Sequence, residues 1–137
     1  MPSARPLPSV IGPTENALHS LLTQTLAATS IPGYPAWVVL NAVSTRDASD
    51  EWRRRASKGL KADADEIDAV LHGLRTAGLV GGGGTLTAAG AVELATARAA
   101  VAEATGRLVE GIDEAEQETA RRVLDAIRLK AEGLLAS

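Results

Sequence analysis

The sequence predicts a mainly α-helical fold of four shorter helices, one stunted hairpin and two long helices. Three observations carry this. Apolar residues recur at three- and four-residue spacing through most of the chain. The single glycine run, Gly81 to Gly84, is flanked by only the short segments Leu79-Val80 and Thr85-Leu86. From Ala88 onward an alanine-rich stretch carries Leu94, Val101 and Leu108 seven residues apart.

Taken in order, the first thirteen residues hold Pro2, Pro6, Pro8 and Pro13 and are expected to form an extended arm, either disordered or laid across a partner subunit. Thr14 is a candidate N-cap for a first helix on which Leu18, Leu21, Leu22 and Leu26 share a face, ending before Pro32. The segment Ala36 to Val43 (AWVVLNAV) is apolar enough for a buried strand or a short helix. A helix is favoured because no neighbouring strand can pair with it. Ser49 is placed to cap a third helix that ends near Gly59, with Trp52 and Ala56 on its inner face. Asp63 and Glu66 have capping-box spacing, and Ile67, Val70, Leu71 and Leu74 follow as an i, i+3, i+4, i+7 stripe ending before Gly78. The last two helices run from Ala88 to Glu110 and onward after Gly111. The second begins with Asp113, Glu114, Glu116 and Glu118 and carries Arg121, Arg122, Arg128 and Lys130 later, the order that complements a helix dipole. Its apolar stripe is Ala120, Val123, Leu124, Ile127 and Leu134.

Composition sets the limits. At 137 residues the chain is expected to form one domain, and with 45% apolar residues, 2% aromatics and no Phe its core must come from Leu, Val, Ile and Ala. Small side chains each bury little area, so burial between two subunits is an expected supplement and a homodimer follows. The absence of cysteine excludes disulfides and thiolate metal sites and fits a cytoplasmic setting. The first thirteen residues lack a signal-peptide apolar core, and no stretch approaches a membrane span. Net charge is −3, but its distribution is uneven. Arg46 to Lys61 holds six basic and three acidic residues, whereas Ala62 to Val80 holds four acids and Arg75 alone.

Three stretches resemble the MarR family of winged helix-turn-helix transcription regulators. TSIPGYPAWVVLNAV is similar to the junction of that family's first two helices. LKADADEIDAVLHGLRTAGLV is similar in length and apolar phase to its recognition helix and closing Gly-Leu-Val. TLTAAGAVELATARAAV, with Leu86, Thr87 and Gly90, resembles the Leu-Thr-x-x-Gly segment that opens its long dimerisation helix. The resemblance implies a winged helix-turn-helix lobe at 36–87, dimerisation helices at 14–30 and 88–137, recognition helices entering successive major grooves, and a small-molecule pocket between lobe and dimer helices. Two places depart from the family pattern. The recognition helix presents Asp63, Asp65, Glu66 and Asp68, and the wing carries four glycines in place of charged residues.

Arg53, Arg54, Arg55, Lys58 and Lys61 are candidates for DNA phosphates, the alternative being a solvated face or pairing with adjacent acids. His72 and Arg75 are the candidates for base edges. His19, Thr23, Tyr34, Trp37 and Asn41 are candidates for the ligand pocket, with core packing the competing role for the aromatics. With two histidines at unrelated spacing, no metal site or cofactor is expected. The glycine run lacks the Gly-Lys-Ser/Thr of a phosphate loop, and no residue marks a nucleophile. The leading expectation is a dimeric regulator that binds duplex DNA and responds to a small molecule. The alternative is the same fold with DNA reading lost, binding or transforming a small molecule; a helical protein-interaction module ranks third.

Overall fold

The computed structural model describes residues 5–45 and 51–136. Its helices are α1 (Leu7–Leu26), α2 (Tyr34–Ser44), α3 (Glu51–Leu60), α4 (Ala64–Thr76), α5 (Ala88–Leu108) and α6 (Glu114–Ala136). The expected cap at Ser49, together with Arg46 and Pro2, lies outside the described residues. The chain divides into two compact units, Met1–Ala102 and Glu103–Ser137.

In the first unit the core centres on α2. Apolar on nearly every side, α2 buries Ala36, Val39, Leu40, Ala42 and Val43, which is why this segment is a helix inside a bundle of others rather than a lone strand. Around it pack Leu26 and Ile31, Trp52 and Ala56 of α3, Ile67, Leu71 and Leu74 of α4, Leu79 and Val80, and Leu94 and Ala97 of α5. Trp52, 3% exposed, is a core residue.

α1 corrects the expectation of an extended arm. It begins at Leu7, seven residues before Thr14, and Thr14 Oγ1 donates back to the Val10 carbonyl at 2.7 Å instead of capping a helix start. Pro8 falls in the first turn, where backbone N–H groups have no intrahelical acceptor and proline costs little. Pro13 lies inside the helix and forfeits one backbone bond. Val10 and Ile11 are half-buried, and the helix runs on through Pro13 to Leu26.

The junction of α3 and α4 and the end of α4 are closed by local motifs. After α3, Lys61 takes a left-handed conformation (φ 52), with its N–H donating to Lys58 O at 3.4 Å and that of Ala62 to Ser57 O at 3.0 Å. The helix therefore stops one residue beyond Gly59, and a lysine holds the position that glycine favours. α4 starts on the predicted capping box: Asp63 Oδ1 accepts from Glu66 N at 2.9 Å and Glu66 Oε1 from Asp63 N at 3.4 Å. It ends on Gly78 (φ 79), with Leu79 N donating to Leu74 O at 3.0 Å.

The expected hairpin reduces to a single antiparallel bridge, Val80 to Leu86, below a turn in which Gly81 N donates to Thr85 O at 2.8 Å. Below the bridge, Thr87 explains the Leu-Thr-x-x-Gly pattern. Its hydroxyl donates to Gly78 O at 2.7 Å and accepts from Gly90 N at 2.9 Å, and its own N–H donates to Leu79 O at 3.1 Å. Gly90 is required because a Cβ there would strike the Leu79 carbonyl oxygen and sit 2.9 Å from its carbonyl carbon.

In the second unit, the left-handed Gly111 (φ 81) turns the chain into α6. Arg121 bonds Glu114 at 2.9 Å and Glu118 at 2.5 Å, and these two carboxylates, Glu114 foremost, raise its already high pKa. No residue of α6 is buried, and Val123, Leu124, Leu129, Leu134 and Leu135 are exposed. No described helix is long and apolar enough to cross a membrane.

Candidate functional site

Helix α3 fans its cations in three directions. Arg54 and Lys58, one turn apart on α3, are both exposed, as is Lys61 just past the helix end. The side chain of Arg54 is 82% exposed and lies 3.5 Å from Glu51. Arg55 turns toward the end of α2, donating from Nη2 to Thr45 Oγ1 at 3.1 Å. Arg53 turns toward α4: its Nη1 is 2.6 Å from Asp68 Oδ1, and its guanidinium lies 4.9 Å from the centre of the Trp52 ring. Of the two roles weighed for this arginine, pairing with an adjacent acid is the one the geometry adopts. An ion pair this exposed adds at most about 1 kcal/mol to stability, but it removes one positive charge from the outward field.

Burial of Ile67, Leu71 and Leu74 turns Asp65, Asp68, Ala69, His72 and Thr76 of α4 outward. Thr76 Oγ1 is spent on the His72 carbonyl at 3.0 Å, leaving His72 as the exposed imidazole of this face. Arg75 lies beside the wing, its Nε donating to Gly81 O at 3.4 Å. The outward face of α4 is thus acidic with one histidine, and the exposed cations Arg54, Lys58 and Lys61 and the wing-side Arg75 lie on the neighbouring segments.

The ligand-pocket candidates fall into two groups. His19 of α1 and Tyr34 of α2 meet with ring centroids 4.6 Å apart and planes inclined at 47°. Trp37 and Asn41 lie one turn apart on α2, joined by an Asn41 Nδ2 bond to the Trp37 carbonyl at 2.8 Å. Trp37 is half-buried against the core, so packing accounts for part of its surface. Thr23 is exposed on α1, its carbonyl accepting from Ala27 N at 3.0 Å. Two open grooves lie elsewhere, between the start of α2 and α4. One, of 210 Å³, is lined by Pro32, Gly33, Pro35, Ala36, Val70, Gly73 and Leu74, and the other, of 310 Å³, by Pro35, Leu60, Ala62, Glu66, Ala69 and Val70. Both are at or below the small end of typical ligand cavities. Among the described residues no group of three or more His, Cys, Asp or Glu is placed to hold a metal ion.

Sequence reasoning missed Arg98 of α5, whose Nε donates to Asn41 Oδ1 at 2.9 Å and whose Nη2 donates to Ser44 Oγ at 2.7 Å. A signal was present: Arg98 is the one basic residue between Arg75 and Arg107, set in a run of alanines. Glu93, also missed, accepts from the Ser30 N–H at 2.9 Å.

Two short helices joined by a tight turn, a minimal wing, and a long helix leaving the wing's base together define a winged helix-turn-helix fold. No family model and no curated protein matches the sequence. Solved structures do match. The Mycobacterium tuberculosis MarR family protein Rv2887, solved with salicylic acid, is 26% identical, with 90% of this chain and 98% of that one covered and a TM-score of 0.65. Solved with DNA, it aligns at 22% identity over the same shares with a TM-score of 0.73. The transcriptional regulator PA3341 is 23% identical over 93% of this chain and 99% of its own, with a TM-score of 0.76. CouR from Rhodococcus jostii RHA1, bound to p-coumaroyl-CoA, is 17% identical over 86% and 88%, with a TM-score of 0.67. The chain has the MarR-family winged helix-turn-helix fold.

Proposed function

We propose that the protein is a cytoplasmic, homodimeric regulator that binds duplex DNA and responds to a small molecule. The observation that carries this is the pairing of a helix-turn-helix and wing with the exposed cations Arg54, Lys58 and Lys61 in and just after α3, in a fold shared with a protein solved on DNA. Those three residues, with Arg55, and with Arg53 on leaving its Asp68 partner, are assigned to phosphates, and His72 and Arg75 to base edges. Residues 36–87 form the reading lobe, and 14–30 and 88–137 supply the dimer helices. Support for the dimer comes from α6, on which no residue is buried and Val123, Leu124 and Leu129 are exposed. His19, Thr23, Tyr34, Trp37 and Asn41 are assigned to the ligand; two neighbours of the same fold are solved with small molecules.

Salt-dependent mobility shift against the protein's own upstream DNA is the direct test. Phosphate binding of this kind weakens steeply as salt rises, and no duplex binding at low ionic strength would refute the reading. For the ligand site, Trp37→Ala is expected to change the ligand response before it changes DNA affinity; equal loss of both would assign Trp37 to folding.

The Arg53–Asp68 pair and the uncharged glycine wing favour one alternative, a MarR-type fold that binds a small molecule and no longer reads DNA. In that case ligand raises the melting temperature while no duplex does.

A further inference from the structure

α5 holds α2 near both of its ends. Glu93 Oε1 takes the Ser30 N–H at 2.9 Å, four residues before α2 begins, and Arg98 reaches Asn41 and Ser44 in its last two turns. Both acceptors of Arg98 are themselves fixed, since Asn41 Nδ2 donates to Trp37 O at 2.8 Å and Ser44 Oγ to Asn41 O at 2.6 Å. No Cα of α5 comes within 8 Å of a Cα of α2 among the described residues, so this joint is spanned by side chains. The planar guanidinium is suited to it, because two parallel donors fix an angle as well as a distance. Among the described residues no carboxylate pairs with Arg98, and its charge sits beside the α2 C-terminus, where a helix dipole favours a cation.

The start of α5 is already locked to the wing base by Thr87 and by the approach of Gly90 to Leu79. Arg98 lies eight residues beyond Gly90, or about 12 Å along a helix axis. A contact held to ~1 Å at that lever arm restrains tilt about the locked end to roughly 5°. We propose that Arg98 is a positioning residue for duplex recognition: its fork, with Glu93 as the second point, sets the angle between α5 and the reading lobe. The duplex part of this rests on the function proposed above. Half-sites spaced by whole helical turns require the lobes to be held at a fixed angle to the helices that join them.

The parent chain has no cysteine, so Ala69→Cys on α4 and Ala102→Cys on α5 provide unique spin-label sites. Labelled chain is diluted into unlabelled chain, so that only distances within one chain are read. In Arg98→Gln the distance distribution is expected to broaden at least twofold, with helix content unchanged by circular dichroism. Arg98→Lys, which restores the charge beside α2 without the fork, is expected to stay broad. Ser44→Ala, which removes one acceptor and keeps the arginine, should give an intermediate width. Duplex affinity of the unlabelled Arg98→Gln chain is expected to fall at least tenfold.

A distribution as narrow as the parent's in Arg98→Gln, or full recovery in Arg98→Lys, overturns the proposal and leaves Arg98 as an ordinary dipole partner. Broadening without loss of duplex affinity overturns it too. A parent chain that binds no duplex, with broadening intact, overturns the DNA reading and leaves the angle-setting contact standing.

Discussion

Gly90→Ala is expected to destabilise the protein even though alanine is the better helix former. Alanine gains about 1 kcal/mol in intrinsic propensity over glycine inside a helix. Against this, the new methyl runs into the Leu79 carbonyl oxygen, with that group's carbon at 2.9 Å and the Leu79 Cα at 3.2 Å, all backbone atoms that no rotamer change can move. Overpacking of this kind costs about 1–3 kcal/mol. Moving α5 away also loosens the Gly90 N–H cap on Thr87 Oγ1, worth about 1 kcal/mol. The Thr87 N–H bond to Leu79 O is stretched as well, for about 1 kcal/mol more. The net is about 2–4 kcal/mol, or a fall in melting temperature of roughly 8–16 °C at ~4 °C per kcal/mol for a chain of this length. Thermal and urea unfolding followed at 222 nm, at fixed protein concentration, measures it. The control is Gly73→Ala in α4, where a Cβ meets nothing within 4 Å; that variant is expected to gain up to about 1 kcal/mol. Opposite signs at the two positions are the result required. If Gly90→Ala is as stable as the parent, the close approach of α5 to Leu79 is wrong.

Three further outcomes are expected. Lys61→Gly relieves a left-handed lysine and should raise stability by about 1 kcal/mol in urea titration while weakening duplex binding by removing a cation, so stability and affinity move in opposite directions. Asp68→Asn frees Arg53 and should tighten duplex binding by up to roughly fivefold at low salt, the scale of an exposed ion pair, with a steeper salt dependence; unchanged binding would mean that Arg53 takes no part in the contact. Asp63→Ala removes the capping box of α4 and should cost about 1 kcal/mol by denaturant midpoint, whereas Asp65→Ala, two residues further on, should cost far less.

The elements most legible in the sequence were those fixed by local chemistry. α4 could be read from Asp63 to Gly78 because its cap, its stripe and its terminator all lie within its own residues. α2 was legible as a helix only by elimination, since an apolar run has no period to betray it. The start of α1 was misread because prolines usually end helices, while here Pro8 sits in the first turn and Pro13 costs one backbone bond without ending the helix. The site was legible as a set of charges and illegible as pairings. Nothing local to Arg53 says that it meets Asp68 fifteen residues on, and nothing local to Arg98 says that it crosses 57 residues to Asn41. Such pairings are properties of helix packing, which the spacing of residues within one helix does not record.

Thr87 makes the wing a detachable part. Its bond to Gly78 O, the Val80–Leu86 bridge and the Gly81–Thr85 bond close the chain below the glycines. Whatever is built above that closure leaves the phase between α4 and α5 untouched. Lengthening such a loop adds only about 0.6 kcal/mol per doubling. A basic wing grafted between Gly81 and Thr85 would therefore change what the lobe presents to a minor groove without asking the rest of the fold to readjust.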